Sequence, residues 1–173
     1  MPEDKLDRFA TLYDVTQTGE LGLADAPATS PFTYANAPPS GGGGLVSTAA
    51  DYPRFAQMLL NGGTLDGVRL LGRKTVARMT MNHIPARLFP LQLLDMYPMP
   101  GEGYSLGFGV VTDEIQRPML ASRGAYGWPG AAGTQFWVDP QEELIGLFLP
   151  QVRFLMTPVQ AVFQNLVYQT LVD

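Results

Sequence analysis

The chain has no cysteine, one histidine and, among its 173 residues, only two lysines, Lys5 and Lys74. Without cysteine there is no disulfide framework, no thiolate nucleophile and no thiolate metal site. His83 stands alone and no carboxylate pair has ligand spacing, so neither zinc nor another cofactor is expected. No apolar run approaches the roughly 18 residues of a membrane span. Residues 1–5, Met-Pro-Glu-Asp-Lys, lack the apolar core of a signal peptide, and the compartment is left open. A net charge of −5 argues against nucleic acid as a partner, because such proteins usually carry a basic face. The length suits one domain with one core.

What is present concentrates in residues 126–140, Tyr-Gly-Trp-Pro-Gly-Ala-Ala-Gly-Thr-Gln-Phe-Trp-Val-Asp-Pro. Aromatic rings and glycines alternate there, as where a backbone passes close to something else. From Ala132 the pattern is that of a strand, residues 139–142 form a polar turn, and Leu144–Leu149 has strand length; together they predict a β-hairpin. Pro129 has no N–H for a ladder, so the first arm is expected at an edge where a ligand can approach. The continuous apolar second arm is expected to be central and buried on both faces.

Elsewhere the pattern predicts a strand over 6–13 turned by Thr18-Gly19, and loop over 23–44. Gly41–Gly44 lack the following lysine of a phosphate loop. Thr48 and Asp51 form a capping box for a helix whose face is Tyr52, Phe55, Ala56, Leu59 and Leu60, with Pro53 a source of bending and Gly62-Gly63 the stop. Asp66-Gly67 predicts a tiny hairpin, residues 73–82 a second helix, 85–103 an irregular loop and 104–111 a strand. Thr157-Pro158 opens a last helix, with Val159, Val162, Phe163, Leu166, Val167 and Leu171 forming the stripe that should lie on a sheet and Gln160, Gln164 and Asn165 facing away. Three strands and a covering helix give an α+β layer.

The triplet Trp128-Pro129-Gly130, with the continuation Gly133–Pro140, resembles the third active-site motif of the class C β-lactamase-like serine hydrolases, a group that includes esterases and penicillin-binding relatives. That position holds Lys-Thr-Gly, His-x-Gly or Trp-x-Gly on the strand beside the nucleophile. Residues 42–52 with Asn61-Gly62-Gly63 are similar to a structural signature of the group, and residues 2–9 to the sequence just beyond its second motif. The resemblance covers nearly all of residues 1–173. It implies an α+β fold of the β-lactamase/transpeptidase type, with an antiparallel sheet covered by helices. The chain would be the incomplete C-terminal half of that domain.

The resemblance also implies roles. The Ala131 backbone N–H would aim at a developing oxyanion, a task needing a fixed amide and no side chain. Trp128, with Pro129 and Gly130, would wall the acyl pocket, against the alternative of a core tryptophan. Tryptophan cannot hold a substrate carboxylate by charge, which favours a neutral ester over a penicillin-like acid. The Ser-x-x-Lys pair that supplies nucleophile and base is absent: none of serines 30, 40, 47, 105 and 122 has lysine three residues on. Tyr34-Ala35-Asn36 matches the second motif in letters but sits a few residues before the glycine-rich segment, where the motif does not belong; it reads as loop. His83 reads as a helix cap, Arg123 as a solvated side chain, and the methionines between 79 and 99 as gap-fillers or an apolar entrance.

The expected activity is hydrolysis of an ester or β-lactam through an acyl-serine, with this chain alone inactive and completed by the missing N-terminal half. The alternative is a non-catalytic module that docks a partner, either that half or a second copy. Its motive is that Leu144–Leu149 would be an apolar edge without a neighbouring strand. A pseudoenzyme using only half an oxyanion hole is the weakest reading.

Overall fold

A computed structural model describes residues 3–33, 40–93, 97–153 and 158–172. Tyr34-Ala35-Asn36 and Thr157 lie outside the described residues.

The segment Glu3–Arg8 is a 3₁₀ turn, and extension begins only at β1 (Leu12–Val15), which pairs with β2 (Leu21–Asp25). The strand expected over 6–13 is thereby corrected: Glu-Asp-Lys-Leu-Asp-Arg has one apolar residue and no alternation to bury. The turn does fall at Thr18-Gly19, with Gly19 at φ +84°. β2 takes the start of the stretch read as loop, and short 3₁₀ turns follow at Pro27–Thr29 and Pro31–Thr33.

Helix α1 (Tyr52–Leu60) starts where Thr48 Oγ1 accepts the Asp51 N–H at 3.0 Å. The Asp51 carboxylate answers by taking the Thr48 hydroxyl at 2.9 Å, in place of the backbone N–H of a full capping box. Pro53 is the second helical residue, in the first turn where no N–H is needed, and so has no ladder bond to break. Gly62 and Gly63, at φ +63° and +98°, end the helix, and the Gly63 N–H returns to the Met58 carbonyl at 2.8 Å. Then come β3 (Thr64–Leu65), β4 (Val68–Arg69) and α2 (Arg73–Thr80). Asp66 and Gly67 both have positive φ, as a two-residue hairpin turn needs.

The run 85–103 is not wholly irregular, since it carries β5 (Leu91–Leu93) paired with β6 (Tyr97–Met99), then β7 (Glu102–Tyr104). The strand expected over 104–111 is split. Ser105 donates backbone N–H and hydroxyl to the Phe108 carbonyl and its hydroxyl receives the Phe108 N–H, a closed turn that delivers the chain into β8 (Gly109–Val111). Three elements follow β8 in the sheet: β9 (Tyr126–Pro129), β10 (Gln135–Asp139) and β11 (Leu144–Phe148); helix α3 (Val159–Tyr168) comes last.

The main sheet is antiparallel throughout, ordered β11-β10-β9-β8-β7. Two expectations about the hairpin are corrected. Its first arm, expected at an edge, is two strands inside the sheet, because Gly130–Gly133 turns the chain and β9 and β10 each pair on both sides; and β11, expected to be central, is the edge strand of the described sheet. β11 is apolar on both sides because helices lie on both. Ile145 and Leu147 join the α1 core, while Phe148 packs on Phe163 of α3 with ring centroids 4.9 Å apart. Pro129 keeps its edge character locally: β8 pairs only with Tyr126 and Gly127, leaving the end of β9 unladdered on that side.

Register sorts the two faces. Trp128, Phe136, Tyr126, Val138 and Val110 share one face with α1, whose Ala56, Met58 and Leu59 complete the core. Gly127, Gly109, Gln135, Trp137 and Asp139 share the other, beneath α3. The result is an α+β layer of the type expected, with five strands where three were predicted. Among the described residues no helix is long and apolar enough to cross a membrane.

Candidate active site

The end of β9 brings the sequence-predicted residues together. Beyond Pro129, the Gly130 N–H donates to the Thr134 carbonyl at 2.7 Å and the Gly133 N–H to the Gly130 carbonyl at 3.0 Å. Those two bonds close the turn, and Gly133 at φ +74° takes the conformation its exit requires. Between them the Ala131 N–H makes no hydrogen bond among the described residues, and Ala131 is exposed. The closed turn thus leaves the Ala131 and Ala132 N–H groups uncommitted among the described residues, and of the two only Ala131 lines a cavity.

Trp128 is half-buried. Its ring meets Tyr104 edge-on at 4.9 Å and 76°, and one side packs on the α1 core. It also lines a cavity of about 490 Å³, together with Pro129, Gly130 and Ala131. The lining takes Trp128 and Phe136 from one sheet face and Gly127, Gln135 and Trp137 from the other, so the cavity runs around the end of β9. Tyr126 also lines it, but burial pushes its hydroxyl up to about 12, so it stays protonated at neutral pH and is no base.

The other sequence candidates lie elsewhere. His83 Nε2 is 2.8 Å from the Arg78 carbonyl and its backbone N–H bonds Tyr104, which makes it a cap on α2. Arg123 is exposed, 3.6 Å from the Glu114 carboxylate. Met99 does line the cavity, whereas Met79 packs on the core. Of the serines, Ser30 is buried as a donor to Asp25 and Ser105 is tied into its turn. Among the described residues no group of three or more His, Asp or Glu could hold a metal ion.

Sequence reasoning missed the polar part of the cavity. Arg117, with its side chain 7% exposed, donates through Nε and Nη2 to a single oxygen of Glu102, at 2.7 and 2.6 Å. On the opposite wall Gln164, 1% exposed, links Gln135 to the Leu120 carbonyl, and Gln160 binds the Gly133 carbonyl. Glu102 and Arg117 are fifteen positions apart and on no common periodic face, so nothing in the sequence pairs them. Gln160 and Gln164 share a helix face, a signal available in the sequence, but the apolar stripe beside them points to the other face as the one on the sheet.

Sheet, helices and turn together define a β-lactamase-type domain, and the chain belongs to the Beta-lactamase family, whose model matches residues 2–163. Among curated proteins it is similar to Protein Rv1367c of Mycobacterium tuberculosis (strain ATCC 25618 / H37Rv), 37% identical over 153 residues. The match takes in 86% of this chain and 37% of that protein, so the chain spans well under half the length of its relative. Among solved structures it resembles EstCE1, described as a hydrolase with promiscuous acyltransferase activity, with a TM-score of 0.77 at 23% identity, covering 94% of this chain and 44% of the other. Unliganded simvastatin synthase (LovD) from Aspergillus terreus superposes at 0.75 and 20% identity, covering 98% and 45%. These likenesses show the β-lactamase/transpeptidase-like fold.

Proposed function

We propose that this chain is the C-terminal portion of a serine hydrolase domain that cleaves neutral esters, or lactams, through an acyl-serine. The observation that carries the reading is the free Ala131 N–H, held by a closed turn at the rim of a cavity walled by Trp128, Pro129 and Gly130. In this reading Ala131 stabilises the oxyanion of the tetrahedral intermediate. The nucleophile, its lysine partner and the second oxyanion donor come from the part of the domain outside these residues. An ester fits better than a penicillin-like acid because Trp128 brings no charge to a carboxylate.

The chain by itself is expected to turn over neither a chromogenic ester nor a chromogenic cephalosporin. Turnover that a serine-directed fluorophosphonate titrates away would defeat that expectation. In a full-length protein carrying a Ser-x-x-Lys segment, Ala131→Pro removes the N–H and should lower kcat by about 10²–10³, with little change in KM. An unaltered kcat would exclude Ala131 from the oxyanion hole.

A second reading rests on a different observation. β11 is an edge strand, and beside it Val159, Val162 and Leu166 of α3 are 42%, 51% and 56% exposed. Such an apolar edge and stripe favour a docking module for the complementing half or for a second copy. Concentration-dependent light scattering checks this: a monomer at all concentrations, with no binding of a separately expressed N-terminal half, would remove it.

A further inference from the structure

We propose that the β3–β4 hairpin and helix α2 present a basic face that docks on an anionic lipid surface. The inference is independent of catalysis and of the role given to Ala131.

Charge is unevenly placed along this chain. Residues 67–94 hold Arg69, Arg73, Lys74, Arg78 and Arg87 and no aspartate or glutamate, so a stretch of +5 sits in a chain of net −5. All five are exposed, and none makes an ion pair among the described residues. Arg54, Arg117, Arg123 and Arg153 are each paired with a carboxylate, and Arg54 takes Asp66, the last acid before the basic stretch.

The fold gathers four of these cations. Arg69 Nη1 donates to the Gly62 carbonyl at 3.2 Å and to the Leu71 carbonyl at 3.0 Å, which leaves Nε and Nη2 uncommitted among the described residues. A Cβ on Gly62 would meet Arg73 Cγ at 3.8 Å, so Arg73 lies against the same glycine at the end of α1. Lys74 and Arg78 are four positions apart, on either side of the buried Val76 in sequence, and so share the solvent side of α2. Uncovered apolar side chains stand among the charges. Leu70 falls between Arg69 and Arg73 and is 59% exposed; Met81, 47% exposed, has its Sδ 3.9 Å from Arg78 Nη1. That mixture selects the partner. A phosphate backbone or an acidic peptide answers the charge alone, whereas an anionic bilayer takes Lys and Arg at its headgroups and aliphatic side chains just beneath them. The acids elsewhere on the chain are repelled by the same surface, so only this face turns toward it.

The chain, and any longer protein that contains it, should sediment at low salt with vesicles of mixed phosphatidylcholine and phosphatidylserine, and not with phosphatidylcholine alone. Salt near 1 M, where screening acts within about 3 Å, should release it. Lys74→Glu with Arg78→Glu should weaken vesicle binding at least about twentyfold, since each cation near such a surface is worth about fivefold. Lys5→Glu with Arg8→Glu makes the same change in net charge at exposed positions off this face, and should cost less than one such step. Leu70→Ser with Met81→Ser should weaken vesicle binding and leave heparin binding unaltered. All six positions are exposed, and unchanged circular dichroism certifies each protein. Binding to phosphatidylcholine alone, equal losses from the two charge reversals, or vesicle binding indifferent to Leu70→Ser with Met81→Ser would each overturn the proposal. Self-association that Lys74→Glu with Arg78→Glu abolishes, with vesicles left unbound, would overturn it too and give the face to a second copy.

Discussion

Helices α1 and α3 lie on opposite faces of one sheet and bury opposite kinds of side chain. α1 sinks Ala56 and Leu59, 0% and 2% exposed, onto Phe136, Tyr126 and Val138. α3 sinks Gln164, 1% exposed, and turns Val162 and Leu166 outward. Both helices are amphipathic, so their own periodicity does not explain the difference. What differs is the sheet face each one meets. Under α1 every β10 side chain is apolar, and burial there gains about 25 cal/mol per Å² of apolar surface. Under α3 the same strand offers Gln135 and Asp139 on either side of Trp137, which meets Phe163, and glycines stand beside them. A buried polar group must find a partner, and Gln164, Tyr168 and Gln160 supply them. A helix's stripe tells which side is apolar; the partner decides which side is buried.

Two substitutions test that contrast, one per helix. Leu59→Ala empties a filled site in the α1 core and should cost about 2–5 kcal/mol in urea denaturation, the largest effect foreseen. A loss below about 1 kcal/mol would mean that α1 is not the helix the core rests on. Gln164→Leu is the change that a stripe-counting reading would welcome, since it extends the apolar face of α3. Here it should destabilise by about 1–3 kcal/mol, because the half-buried Gln135 loses the acceptor for its Nε2 and the Leu120 carbonyl its donor. A more stable Gln164→Leu protein would restore the simple reading.

The two helices also mark how far the sequence could be read. α1 was legible whole, since its cap, face and glycine stop are local signals written within 48–63. The end of β9 was legible for the same reason: Pro129 and the surrounding glycines force a turn and a strand end whatever packs against them. α3 was legible as a helix and misread in orientation, because Gln135 and Asp139 determine its buried side from more than twenty residues away. β11 was misplaced as central because an apolar run reports cover on two faces, and says nothing of neighbours on two edges. The Glu102–Arg117 pair left no trace at all, as a single contact between an edge strand and a loop has no period.

A smaller effect separates the buried phenols from the rest of the core. Tyr126, beneath α1, has its hydroxyl pushed from 10.0 up to about 12 by burial alone. Tyr168 on α3 is also raised, first by burial and then by donating to the buried Asp139 carboxylate at 2.7 Å. For a group whose folded value is raised, the stabilisation is complete below the unfolded value and is lost as pH climbs through the folded one. Stability should therefore hold up to about pH 10 and fall as pH rises through about 12. Tyr126→Phe should flatten part of that fall and change little at pH 7, since the Tyr126 hydroxyl makes no hydrogen bond among the described residues. Alkaline denaturation profiles that superpose for the two proteins would place that hydroxyl in contact with water.

The smallest effect on stability falls on the side of α3 that faces away from the sheet. Leu166 is 56% exposed and Val162 51%, so Leu166→Ser and Val162→Ser remove little buried area and should change the unfolding free energy by about 0.5 kcal/mol or less. Stability and association should then part company. If this stripe, with the β11 edge that is unpaired among the described residues, is where a complementing half or second copy sits, the same two changes should weaken that association while leaving the fold intact. If the substituted chains keep both stability and every partner, the stripe is ordinary surface, and the contrast between the helices ends at the sheet. A loss of several kcal/mol from either change would instead show that α3 turns its valines inward, and the hydrogen-bonded glutamine face would have to be given up.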